Sequence, residues 1–160
     1  ESEESQGGTR LIRRADFHLG AHVTSFSRLR GRVPSVLLND PKESYFFKRK
    51  QMTVYCSVDG AVGFLFPIHE TNYERFLALQ NEMTLALPHP AGLNPKAWRC
   101  MKQAKPGLTN PCKNVIDGDL IRRFLMLSVK ERNELLKKVG VSADKILTDI
   151  QIIEESTLYF

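Results

Sequence analysis

No stretch of the sequence approaches the about 20 consecutive apolar residues of a membrane-spanning helix, so no helical span is expected. Its start, where Glu1, Glu3 and Glu4 precede Gly7-Gly8, lacks the basic-then-apolar order of a secretory signal. Residues 1–9 are therefore expected to form a flexible acidic leader, and an intracellular protein is the simpler expectation. Cysteine is scarce. Cys56, Cys100 and Cys112 are odd in number and form no close pair, which argues against a disulfide scaffold or zinc-ribbon spacing. Neither the G-x-x-x-x-G-K-[ST] phosphate loop nor the G-x-S-x-G nucleophile turn occurs. His18 and His22 are the nearest thing to a metal pair, but their surroundings suggest extended chain and no third ligand is placed, so zinc is not expected. His69 beside Glu70 and His89 between two prolines read as exposed or locally bonded. The resulting expectation is a packed interaction module rather than an enzyme, with no catalytic residue, metal or cofactor.

What is present is a change of period near Pro67. At 160 residues and 42% apolar, the chain can bury a real core and form one or two compact units. Before Pro67 the pattern is that of strands. Residues 21–29 are rich in β-branched and aromatic types with imperfect alternation, and residues 52–58 and 61–66 flank Asp59-Gly60, a pair suited to a type I′ turn. Phe64 and Phe66 share one face and Leu65 the other, so both faces of that strand need cover that a two-stranded ribbon cannot supply. The strands read as part of a larger sheet whose remainder lies outside this chain.

After Pro67, which cannot donate to a ladder, the period becomes helical. Tyr73, Phe76, Leu79, Met83 and Leu87 form a stripe from a start near Thr71 to the prolines Pro88 and Pro90. Asn94 and Pro95 suit the cap and first turn of a short helix, whereas residues 105–111 read as loop. Asp117 suits the cap of a helix over residues 118–126 with Leu120, Ile121, Phe124 and Leu125 on one seam. Ser128 and Glu131 have capping-box spacing before residues 129–139. Gly140 suits the left-handed stop, and Ser142 the cap of a last helix carrying Ile146, Leu147, Ile150 and Ile153. The last two helices have helix-turn-helix spacing, but Ala143-Asp-Lys-Ile offers a poor base-reading surface. The fold class is thus α+β, with strands over residues 10–69 and a helical domain over residues 70–160.

The net charge of +5 is uneven. Residues 10–50 hold ten basic residues against Asp16, Asp40 and Glu43. Arg28, Arg30, Arg32, Lys48, Arg49 and Lys50 are candidate contacts for an acidic partner or RNA, or else a solvated loop surface. A second stretch, with Lys96, Arg99, Lys102, Lys105 and Lys113, contains no acid. Its Trp98 can stack on a base, but the spacing of Ala97, Trp98 and Met101 favours an inward-packed helix side.

Several stretches carry a family resemblance. They are Arg14-Ala-Asp-Phe-His-Leu-Gly-Ala-His-Val23, Asp59-Gly-Ala-Val-Gly-Phe-Leu-Phe-Pro67, Leu79-Gln-Asn-Glu-Met83, His89-Pro-Ala-Gly-Leu-Asn-Pro-Lys-Ala-Trp-Arg99 and Val115-Ile-Asp-Gly-Asp-Leu120. Over residues 10–160 the sequence resembles the C-terminal end of the family of the largest subunit of the cleavage and polyadenylation specificity factor. The wider family includes the large damaged-DNA-binding subunit and a splicing-factor relative. The resemblance implies the last strands of a β-propeller followed by a helical C-terminal domain, in a nuclear, non-enzymatic scaffold of pre-mRNA 3′-end processing. It implies as partners the rest of the parent propeller protein and the WD-repeat and zinc-finger subunits that contact the AAUAAA signal. RNA would be met directly or through the complex, and no membrane partner is implied.

Overall fold

The computed structural model describes residues 6–12, 14–30, 51–102, 109–110 and 112–157. Strands β1 (Val23–Arg30), β2 (Gln51–Ser57) and β3 (Val62–Leu65) form an antiparallel sheet in the order β1-β2-β3. The helix α1 (Glu70–Ala86) and the single-turn α2 (Pro95–Trp98) follow, then a two-stranded ribbon of β4 (Met101–Lys102) and β5 (Thr109–Asn110). The chain ends in α3 (Gly118–Arg122), a 3-10 turn over Arg123–Met126, α4 (Val129–Val139) and α5 (Ala143–Thr157). The fold is α+β.

The imperfect alternation of the first strand has a structural cause. The register shifts between Val23, opposite Ser57, and Ser25, opposite Cys56, so a bulge places an extra residue on β1. Thr24 there donates its hydroxyl to the Cys56 carbonyl at 3.1 Å. The Asp59-Gly60 connection is not the expected type I′ turn. That turn needs positive φ at both central residues, whereas Asp59 is not among the positive-φ residues and Gly60 is, at 84°. Ser57 N–H donates to the Ala61 carbonyl at 3.0 Å and Gly60 N–H to the Ser57 carbonyl at 3.1 Å, closing a three-residue loop with glycine at its left-handed position. The Asp59 carboxylate instead accepts from the Ser57 hydroxyl. That bond first, with backbone N–H donors at Ala61 and Asp59, lowers the Asp59 pKa against a smaller opposing desolvation.

Helix α1 starts one residue earlier than expected because His69 caps it, its ring Nδ1 accepting from Thr71 N–H at 3.4 Å. Phe76, Leu79 and Met83 are buried along its inner face. They cluster with Leu120, Ile121, Phe124, Leu135, Leu136, Ile146 and Ile150, and Leu125 packs partly buried against them. Each fully buried apolar side chain of this size is worth about 1.5–3 kcal/mol, which outweighs any single cap. The expected helix over residues 118–126 is in fact split. Asp117 caps α3 through Asp119 and Leu120 N–H, but the Phe124 and Leu125 carbonyls accept from the Arg132 guanidinium and the chain tightens into the 3-10 turn. Ser128 and Glu131 form the capping box of α4, Gly140 ends it at φ 74°, and α5 begins directly after Ser142, whose carbonyl accepts from Ile146 N–H at 3.4 Å. Thr109–Asn110, expected within a loop, pairs with Met101–Lys102.

The chain divides into two compact units, one of residues 1–19 and 88–115, the other of residues 20–87 and 116–160. The sheet of β1, β2 and β3 and the long helices share a unit, while the early segment joins the segment around α2 through hydrogen bonds over about 80–100 residues of sequence.

Candidate interaction surfaces

In the first unit an extended segment carries three successive attachments. The Arg14 carbonyl accepts from the Asn114 side-chain amide at 2.7 Å. Asp16 and Lys113 exchange both backbone bonds at 3.1 Å. His18 N–H donates to the Arg99 carbonyl at 3.1 Å, and Arg99 Nη1 returns a bond to the His18 carbonyl at 3.1 Å. Asn94 caps α2 through Lys96 and Ala97 N–H at 2.9 and 3.3 Å, so Trp98 and Arg99 leave a fixed turn.

Trp98 does not pack inward as its spacing suggested. It is 46% exposed, because a four-residue helix has no face broad enough to bury, and α2 contains no buried residue. Its ring meets that of His18 edge-on, with centroids 5.1 Å apart and planes at 77°. Arg99, named as a candidate partner contact, is committed internally, its guanidinium lying 4.5 Å over the Phe17 ring in a cation–π contact. Lys96 is exposed, as are Arg14 and Lys113.

Of the other basic candidates, Arg28 is exposed on β1 opposite Thr53. Arg30 lies opposite Gln51 at the strand end, and Lys102 pairs with Thr109 through its backbone. Arg32, Lys48, Arg49, Lys50 and Lys105 lie outside the described residues. The structure therefore brings Lys96 and Arg99 into one unit with Trp98 and leaves Arg28 on a sheet in the other. Among the described residues no group of three His, Cys, Asp or Glu side chains is placed to hold a metal, and no helix is long and apolar enough to cross a membrane. Cys56, Cys100 and Cys112 are free thiols. The Cys100 thiol donates to the Lys96 carbonyl at 3.2 Å, and the Cys112 thiol to the Val115 carbonyl at 3.5 Å.

One polar cluster escaped the sequence reading. Asp149, 2% exposed, accepts at Oδ2 from Arg75 Nε at 3.2 Å and Nη2 at 2.8 Å, and Arg75 also reaches buried Asn72 at 2.6 Å. Oδ1 accepts no hydrogen bond and has Lys145 Nζ 3.6 Å away. The available signal was an acid next to Ile150 and three residues after Ile146, on the apolar face of α5. On the sheet, Phe26 is 65% exposed, and Val62, Phe64 and Leu65 are also exposed.

Comparison with known proteins bears on these surfaces. The CPSF A subunit region family matches residues 1–126. The chain belongs to that family. It is 38% identical over 160 residues to cleavage and polyadenylation specificity factor subunit 1 of Drosophila melanogaster, covering 100% of this chain and 11% of that protein. It is 33% identical over 161 residues to the probable subunit 1 of Caenorhabditis elegans, with 100% and 11% covered. Protein cft1 of Schizosaccharomyces pombe is 32% identical over 160 residues, covering 99% of this chain and 11% of that protein. The chain thus spans about a tenth of the length of the CPSF relatives it matches. The first two of these relatives are named as subunits of a cleavage and polyadenylation specificity factor.

Proposed function

We propose that this chain is a non-enzymatic scaffold segment of the nuclear pre-mRNA 3′-end cleavage and polyadenylation machinery, from the C-terminal end of its parent. In this reading β1, β2 and β3 belong to a propeller blade completed by chain beyond this segment, and the helices of the same unit form its terminal domain. The observation that carries the proposal is the sheet itself in a member of the CPSF A family. A propeller blade has four strands, three are described here, and exposed Phe26, Val62 and Leu65 want cover that three strands do not provide. The parent would hold the WD-repeat and zinc-finger subunits that contact AAUAAA.

Co-purification tests this. The intact parent protein, tagged and expressed with the other cleavage-factor subunits, is expected to retain them, and deletion of this segment is expected to weaken that retention. Undiminished assembly of the deleted parent would remove the scaffold role from this segment.

A further inference from the structure

Two of the most exposed apolar side chains of the larger unit stand at one connection, between the 3-10 turn and α4. Met126 is 88% exposed and Val129 71%. Phe124, Leu125 and Leu127 beside them pack in or against the helical core, so the core is filled without either exposed residue. The connection is also braced. Leu127 N–H donates to the Phe124 carbonyl at 3.3 Å, Arg132 Nε donates to the same carbonyl at 3.1 Å, and Arg132 Nη2 donates to the Leu125 carbonyl. Ser128 N–H donates to the Glu131 carboxylate at 2.8 Å. Single apolar residues scattered on a surface are ordinary, but a pair fixed by these four bonds forms a rigid apolar knob.

The knob is set among cations. Residues 122–130 contain Arg122, Arg123 and Lys130 and no acid. Side chains three apart eclipse in a 3-10 turn, which puts Arg123 beside Met126, and exposed Lys130 follows Val129. Two acids that adjoin the connection are engaged, Glu131 by the Ser128 hydroxyl and N–H and Glu154 by Arg122 Nε at 3.0 Å. The second is a surface pair of little net worth, which an incoming carboxylate can replace. We propose that Met126 and Val129 dock into a pocket of a separate protein subunit, apolar at its base and edged by carboxylates. Methionine supplies adaptable contact area, and Met and Arg are enriched at protein interfaces. The braced turn lowers the ordering cost of binding, and the cations steer and orient an acidic rim. Phosphates would satisfy the cations but leave both apolar side chains in water. The inference deepens the scaffold reading, on which it rests for the choice of partner subunits, and uses none of the residues of the sheet.

The test places the photo-crosslinker p-benzoylphenylalanine at position 126 or 129 of the intact parent protein, co-purified with the other cleavage-factor subunits. Irradiation is expected to join either position to a peptide of another subunit in which apolar residues adjoin Asp or Glu. The probe at 129 should lose that product in a Met126→Asp background. The same probe at exposed Lys137, about two turns further along α4, should give none. The crosslinked subunit should bind parent carrying Met126→Ala about tenfold more weakly, and Lys130→Glu should slow its association and flatten the dependence on salt. Unchanged thermal melts of these surface variants separate loss of docking from loss of fold. A parent that retains no subunit would remove the scaffold reading and this inference with it. A parent that retains its subunits overturns the docking alone if positions 126 and 129 crosslink only within the parent, to a second copy, to a peptide without acids, or to nothing. Unchanged affinity of Met126→Ala would overturn it as well.

Discussion

The ring of Tyr55 lies across Gly63, its cross-strand partner, so closely that a β-carbon at position 63 would fall 2.2 Å from Tyr55 Cζ. The glycine is thus required by a neighbour, at a φ that any residue adopts. Gly63→Ala is expected to turn the tyrosine off the strand and destabilise the protein by about 1–3 kcal/mol. Denaturant unfolding of Gly63→Ala, Tyr55→Leu and the double variant checks it: the double variant should cost less than the two single changes together. Simple additivity would mean that the ring and the glycine are not coupled.

Ser128 and Glu131 stabilise the start of α4 reciprocally. Ser128→Ala should cost about 1 kcal/mol. The Ser128 hydroxyl and then its backbone N–H hold the Glu131 pKa below its ordinary value of 4.5. The stability this contributes is therefore present above pH 4.5 and lost as pH falls through the depressed folded-state value. The wild type should lose stability faster than Glu131→Gln over that acidic window, measured by thermal melts at stepped pH. Parallel curves would contradict the coupling.

Removing Arg75 would strand the buried Asp149 carboxylate. Breaking a buried pair from one side costs about 3–5 kcal/mol, and Arg75→Ala is expected near the lower end because Lys145 stays close. Replacing both residues by Met and Leu should recover much of the loss. Urea midpoints of the single and double variants decide it, and a double variant worse than Arg75→Ala would contradict this account.

Phe124 is fully buried at the centre of the helical cluster, with Arg132 over its ring at 5.6 Å. Phe124→Ala should destabilise by about 3–5 kcal/mol. A change below about 0.5 kcal/mol in equilibrium unfolding would deny it that central place.

Elements governed by neighbouring residues were legible in the sequence, and those governed by distant ones were not. The Ser128–Glu131 box, the Asn94 cap and the stop at Gly140 are local chemistry, and each appears where its residue types stand. The stripe through Phe76, Leu79 and Met83 was equally plain. Asp59-Gly60 was ambiguous because the same pair fits two- and three-residue loops, and the Ser57–Ala61 pairing chose between them. The split after α3 depends on Arg132 reaching back to the Phe124 and Leu125 carbonyls. Trp98 misled because helical spacing says which side chains share a face, not whether anything covers it. Of the basic candidates, the sequence revealed the charge but not that Arg99 is taken up by Phe17.

The bridge between Asp16 and Lys113 has a consequence for synthesis. A ribosome makes residue 16 nearly a hundred residues before its partner, and in the interval the strands and α1 emerge. The early segment therefore waits, unpaired, while much of the other unit becomes available to fold. Closing so long a loop costs entropy that only the completed turn around α2 and Asn114 returns. Pulse-labelled hydrogen exchange during refolding should protect the amides of Asp16 and His18 later than those of Tyr55 and Leu79. Simultaneous protection would mean that the two units form as one.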